Sequence, residues 1–268
     1  MSLPDPGSGP ESDKGSRVAP DVTGRRPLPE LLRWIGGHVR GFHAAIGVFL
    51  TLGLVLAASA LILFAVTAAL VMDGATQALD EAILLWFNRY ATPRLDGAAV
   101  ELTSLGSAYV TILAVIVASA FFWESRHRYS AALLWVALVG GWVLSRMLKT
   151  LFDRPRPNLF EWRVPFAAES SYPSGHSISA MAVYATLAYL VLRQESSPAL
   201  KRVTIAVFAA IICVVGLSRV YLGVHYPADV VGGYLIGFAW ATTCALGFEG
   251  ISYFRGRRPE VIGYREKA

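Results

Sequence analysis

Six stretches of this chain carry enough consecutive apolar residues to cross, or nearly cross, a lipid bilayer: 44–72, 100–123, 130–148, 177–192, 203–217 and 228–248. A helix in the hydrocarbon core needs about 20 such residues, because no water is present there to satisfy its backbone N–H and C=O groups. The pattern predicts an all-α polytopic membrane protein with six transmembrane helices. Composition agrees: 54% of the residues are hydrophobic and 16% charged, with a mean hydropathy of +0.48, which is too apolar for an ordinary water-soluble domain. The fourth and fifth stretches are short and their ends run into polar sequence. Helices tolerate that where their terminal groups meet protein rather than lipid.

The flanks read differently. Residues 1–43 are rich in Pro, Gly, Ser and charge and have little to bury, which predicts a disordered tail. No apolar core suited to a signal peptide precedes residue 44. Residues 255–268 form a short basic tail, leaving 44–254 as the membrane domain. With the N-terminus placed inside, sixteen of the 24 Lys and Arg residues fall on one side of the membrane. The positive-inside bias therefore predicts both termini in the cytoplasm of a cell (inner) membrane protein. These cations form no continuous stripe with interleaved aromatics, which argues against nucleic acid as a partner. Cys213 and Cys244 sit in apolar runs away from any His/Cys ligand spacing, so they are assigned to packing.

Between the first two spans, residues 73–97 mix charges with Ile83, Leu84, Trp86 and Phe87. That mixture predicts a short amphipathic connector in the headgroup zone.

Three polar islands border the later apolar runs: KTLFDRPRP (149–157), PSGH (173–176) and SRVYLGVHYPAD (218–229). If six spans alternate, the end of the third, the start of the fourth, the end of the fifth and the start of the sixth all emerge on one outer face. The islands then meet in one extracytoplasmic pocket. Lys149, Arg156 and Arg219 would supply three cations suited to phosphate oxygens. Ser174 adds a hydroxyl, and the Gly175 backbone offers N–H groups at a helix start. His225 and Asp229 are four apart, a spacing that lets the carboxylate take one ring N–H and leaves the other nitrogen to attack. His176, from another helix, is placed to give and take the proton. Arg154 lies between these residues with no assigned role.

These islands match the three-part pattern K-x6-RP, PSGH, SR-x5-H-x3-D, and the chain thereby resembles the type 2 phosphatidic acid phosphatase superfamily. The resemblance covers 149–229 directly and about 44–250 through the spans. It implies a bacterial-type membrane lipid phosphate phosphatase without a metal or other cofactor. The implied roles are His225 as a nucleophile forming a phosphohistidine, Asp229 as its orienting partner and His176 as the acid. Lys149, Arg156, Ser174, Gly175 and Arg219 would hold the phosphate. The implied substrate is a lipid phosphate or diphosphate such as undecaprenyl diphosphate, phosphatidate or phosphatidylglycerophosphate.

Three other readings stand beside this one. A phosphatase for a soluble sugar phosphate would share every site residue. A haloperoxidase is disfavoured by the six spans. A non-enzymatic phospholipid-binding or transport protein would have no use for the His225, His176 and Asp229 set. Glu101 and Glu249 read as boundary residues, and the glycine pairs at 140–141 and 232–233 as points of close helix packing.

Overall fold

The computed structural model describes residues 28–164 and 170–254, with side chains from 47 to 164 and from 170 to 253. The chain divides into two units, residues 1–47 and 48–268. In the first, the described backbone is helical from residue 28, inside the stretch read as a tail; residues 1–27 and the basic segment 255–268 lie outside the described residues. Helix α1 is Leu28–Met72.

The remaining helices are α2 (Gln77–Arg89), α3 (Pro93–Ser104), α4 (Ala108–Glu124), α5 (Arg128–Phe152), α6 (Gly175–Gln194), α7 (Pro198–Tyr221) and α8 (Pro227–Phe254). Among the described residues there is no strand. Five of these helices are long and apolar enough to cross a membrane, six if α3 and α4 are taken as one broken span. The protein is thus a multi-pass membrane protein of helical architecture.

The second span departs from the sequence reading. The continuous helix expected over 100–123 is two helices meeting at a 46° bend. The break follows from local chemistry, since Ser107 caps α4 by accepting the Val110 N–H, a role serine fills better than a helix interior. A Cβ on Gly106 would come 3.0 Å from the His176 carbonyl, so the bend also lets α6 approach closely.

The core lies among α4 to α8, where Leu134, Leu138, Val183, Leu190 and Val215 are fully or almost fully buried. Helices α6 and α8 pack through small residues: Cβ atoms on Gly233 and Gly237 would fall 2.8 Å from Ser177 Cβ and 2.9 Å from Met181 Cβ. In lipid, where apolar burial drives helix pairing weakly, such backbone proximity is what association relies on. Outward faces carry the exposed apolar residues expected against acyl chains, such as Leu52, Val55 and Ile62 on α1.

Helix α2 also differs from the connector expected at 73–97. Leu84 and Asp80 are buried, and the helix packs against α7 and α8. Leu85, Trp86 and Tyr90 remain exposed, so one face is built into the protein and the other is left outward.

Candidate active site

Local sequence explains how the islands reach one end of the bundle. Helix α5 stops because Asp153 takes a left-handed conformation and Pro155 and Pro157 cannot continue a helix. Helix α7 ends at Tyr221, where Gly223, with φ of +76°, supplies the left-handed turn glycine accepts readily. Helix α8 opens on Pro227, whose missing N–H is no loss at that position. Asp229, in its first turn, accepts the Tyr226 N–H at 2.8 Å, as the acidic member of a capping box does. The next free donor, Ala228 N–H, is taken at 2.9 Å by Asp80 Oδ1 from α2.

Asp229 is fully buried and its two oxygens have distinct duties. Oδ1 accepts from Arg154 at 2.7 Å. Oδ2 accepts from Tyr226 N–H and the Ser171 hydroxyl and lies 3.3 Å from His225 Nδ1. On its far side, His225 Nε2 is 3.3 Å from Arg156 Nη1. A guanidinium only donates and a carboxylate only accepts, so the network assigns the proton to Nδ1 and leaves the Nε2 lone pair free of hydrogen. Arg156 also donates to the Val224 carbonyl at 2.5 Å, holding the peptide that leads into His225. The arrangement gives an imidazole nitrogen with an open lone pair facing a cation, which can attack an anion held there.

Lys149 donates to the Ser170 carbonyl at 2.6 Å. A Cβ on Gly175 would lie 3.8 Å from Lys149 Cε, so the end of α5 and the start of α6 adjoin. Arg219 is buried and donates to Thr103 of α3 at 3.2 Å, while its Nε has no hydrogen-bond partner among the described residues. Ser174 precedes α6, donates its own N–H to the Asp229 carbonyl at 3.0 Å and keeps a buried hydroxyl likewise without a partner. Arg219, Arg156 and Lys149 all lie close enough to act on the charge of both His176 and His225. The eight residues singled out from sequence thus gather at one end of the bundle, carried by α5, α6, α7, α8 and their connections.

Burial, reinforced by Arg156, Arg219, Lys149 and His176, holds His225 well below the ordinary imidazole range. The ring is therefore neutral near pH 7 and its lone pair available. Burial brings Arg156 down to about 10, against the pull of Asp229. It stays cationic at neutral pH.

Sequence reasoning missed four supporting residues. Arg154, left without a role, bridges Asp229 and Asp80, the latter at 2.9 Å. Asp80 and Gln77 come from α2, read as a mere connector, and Thr103 from α3 orients Arg219. A faint signal existed for Asp80, an acid in an otherwise apolar helical stretch of a membrane chain, where an uncompensated charge is costly. Among the described residues, no group of three His, Cys, Asp or Glu side chains is arranged to hold a metal ion.

Comparison with known proteins places the chain in a family. Residues 129–251 match the PAP2 superfamily. The chain is 33% identical over 183 residues to phosphatidylglycerophosphatase B of Bacillus subtilis, spanning 67% of this chain and 88% of that protein. The chain belongs to the PAP2 superfamily. This PAP2 protein is also 31% identical over 170 residues to the undecaprenyl-diphosphatase of Sulfolobus acidocaldarius, covering 62% of this chain and 75% of that one. In three dimensions it resembles the crystal structure of a transmembrane PAP2-type phosphatidylglycerolphosphate phosphatase from Bacillus subtilis. There the TM-score is 0.68 at 29% identity, over 74% of this chain and 98% of the other. The PAP2 match begins in α5 and ends in α8, so it contains all eight residues and Arg154 but neither Asp80 nor Thr103.

Proposed function

We propose that this PAP2 protein is an integral membrane phosphatase that releases phosphate from a lipid monophosphate or diphosphate through a phosphohistidine. The observation that carries the reading is the His225 ring. Its Nδ1 faces the Asp229 carboxylate and its Nε2 faces Arg156, the orientation a nucleophile beside a phosphate clamp requires.

In the first step, Nε2 of His225 attacks phosphorus and the bond to the leaving oxygen breaks. His176 delivers a proton to that oxygen. Lys149, Arg156, Arg219, the Ser174 hydroxyl and the Gly175 backbone hold the phosphoryl oxygens and take up the negative charge that shifts during transfer. In the second step, His176 removes a proton from water, the resulting oxygen attacks phosphorus, and the P–N bond breaks. Orthophosphate leaves and His225 is restored.

The relatives' names favour a lipid phosphate over a soluble one, and a site built at the ends of membrane-spanning helices is within reach of a headgroup. The weight of Lys and Arg in the expected inner segments supports both termini in the cytoplasm of the cell membrane and a site on the outer face. A phosphate-release panel on purified protein tests the reading, comparing undecaprenyl diphosphate, phosphatidate, phosphatidylglycerophosphate, sphingosine phosphate and glucose 6-phosphate. Turnover of at least one lipid well above glucose 6-phosphate is expected. Equal or faster turnover of the sugar phosphate defeats the lipid assignment.

A further inference from the structure

Gln77 and Asp80 stand three residues apart and so share one face of α2. Both meet the same guanidinium: Arg154 Nη2 donates to Asp80 Oδ2 at 2.9 Å and to Gln77 Oε1 at 3.1 Å. Its other terminal nitrogen donates to Asp229 Oδ1 at 2.7 Å, and its Cζ lies over the Tyr226 ring, 4.1 Å from the ring centre. Burial works against the charge of Arg154, yet Asp229 and Asp80 together raise its proton affinity above that of an ordinary arginine. Arg154 and Asp80 are both nearly inaccessible, at 6% and 3% side-chain exposure.

Desolvating two such ions is costly, and an apolar contact would join α2 to the bundle at less expense. The arrangement therefore calls for an explanation beyond cohesion. Its geometry supplies one. With Oδ1 of Asp229 occupied by Arg154, the carboxylate cannot turn, and Oδ2 stays directed at His225 Nδ1. Asp80 also caps α8 through Ala228, fixing the backbone that carries both His225 and Asp229.

We infer that Asp80 and Arg154 are a positioning couple for phosphoryl transfer: they lock Asp229 as an oriented carboxylate, and Asp80 cancels the charge Arg154 adds beside the phosphate clamp. This deepens the proposed function and rests on His225 being the nucleophile. The charged and titratable groups facing Asp229 and His225 are Lys149 on α5, Arg156 and Tyr172 in the connection between α5 and α6, His176 on α6 and Arg219 on α7, besides Arg154 and Asp80. Cations dominate this set, so each member of the couple carries a sign that a pH profile can read.

The test uses full-length protein purified in detergent and the best lipid substrate of the panel. In Arg154→Gln, kcat should fall about 10- to 100-fold, the cost of a mispositioned reacting group. KM and inhibition by vanadate should stay within a few-fold, because the clamp is untouched. The acid limb of kcat/KM should move to higher pH, since the site around the His225 ring loses a cation that opposes its protonation. Asp80→Asn should also lower kcat but move the acid limb to lower pH, because the charge of Arg154 is no longer countered. Arg154→Lys should recover part of the loss and leave the limb near its wild-type position.

Wild-type kcat in both folded variants, or limbs that stay put or move together, would reduce the couple to a structural tie. If Arg154→Gln fails to give a monodisperse protein, Asp80→Asn and Arg154→Lys decide by the same limbs. A wild type that releases no phosphate, or a fully active His225→Ala, instead overturns the functional reading and the couple with it. An inactive His225→Ala beside an unshifted Asp80→Asn overturns the couple alone.

Discussion

Two clusters of charge hold helix ends together in this protein, and they differ in kind. Around Asp229, four donors from three separate segments of chain converge on one fully buried carboxylate: Arg154, Ser171, and the adjacent His225 and Tyr226. Elsewhere, Arg193 of α6 meets Glu249 of α8 at 2.7 Å, with side chains 19% and 17% exposed and Tyr189 as a further donor. Glu249 is thus no simple boundary residue. Both clusters tie helices, but only the first presents an unprotonated ring nitrogen beside a cation. An ion pair near a membrane boundary is weak testimony of function; unlike groups converging on one carboxylate that orients a ring nitrogen with an open lone pair are much stronger.

The sharpest way to break this comparison is at the lone pair. His225→Ala removes the atom proposed to bond phosphorus and should lower phosphate release by at least about a thousand-fold. The variant should still insert, and ³²P trapped on wild-type protein denatured at alkaline pH, where a P–N bond survives, should be missing from it. Turnover within tenfold of wild type would dissolve the distinction between the two clusters.

The clamp comes next. Arg219→Ala leaves the nucleophile intact but removes a buried cation whose Nε has no hydrogen-bond partner among the described residues, and a loss of about 10²–10³-fold in kcat is expected for a missing charge-stabilising donor. Micromolar vanadate, a mimic of the transferred phosphoryl group, should inhibit wild type and inhibit this variant much less. Turnover that disappears with EDTA and returns with Mg²⁺ would show that these cations are not the main stabilisers.

A third prediction concerns pH. An ordinary imidazole would lose about tenfold of its unprotonated form between pH 7.5 and 5.5. His225 is depressed below that range by burial first and then by Arg156, Arg219, Lys149 and His176. Because the reactive form is the unprotonated one, a lowered proton affinity keeps it populated as the pH falls. The acid limb of kcat/KM assigned to His225 should therefore begin below pH 6.5, and it should rise toward that value when Arg219 is replaced. A limb centred at 6.5 in both proteins would mean that the clamp does not act on the ring.

How much of this was legible in the sequence varies by element. The long spans declared themselves because bilayer thickness dictates a length and lipid dictates apolarity. The seven polar residues and Gly175 could be singled out by their spacing and by helix parity, and the fold brings them to one end of the bundle. The bend at Gly106 did not, since the apolar run continues through it and only Ser107 marks a new cap. Helix α2 was legible as a helix but not as a wall of the site. Its buried face depends on Asp80 and Gln77 finding Arg154, which lies 74 and 77 residues away along the chain. Pairing at that distance leaves no periodic trace. Arg154 was set aside for the same reason, its partners being invisible until the fold brought them in.

The smallest expected effect sharpens the comparison from the other side. Glu249→Gln removes one charge from the Arg193 pair but keeps a hydrogen-bonding group of the same shape at the same place. The pair is partly exposed, so screening and the remaining Tyr189 and Phe248 contacts should limit the loss to about 1 kcal/mol. That appears as a small drop in melting temperature in detergent, with kcat and KM unchanged within twofold. If Glu249→Gln lowered kcat as strongly as Arg219→Ala while leaving stability intact, the second cluster would be coupled to phosphoryl transfer through α6 and α8, and the division between a reactive cluster and a purely cohesive one would fail.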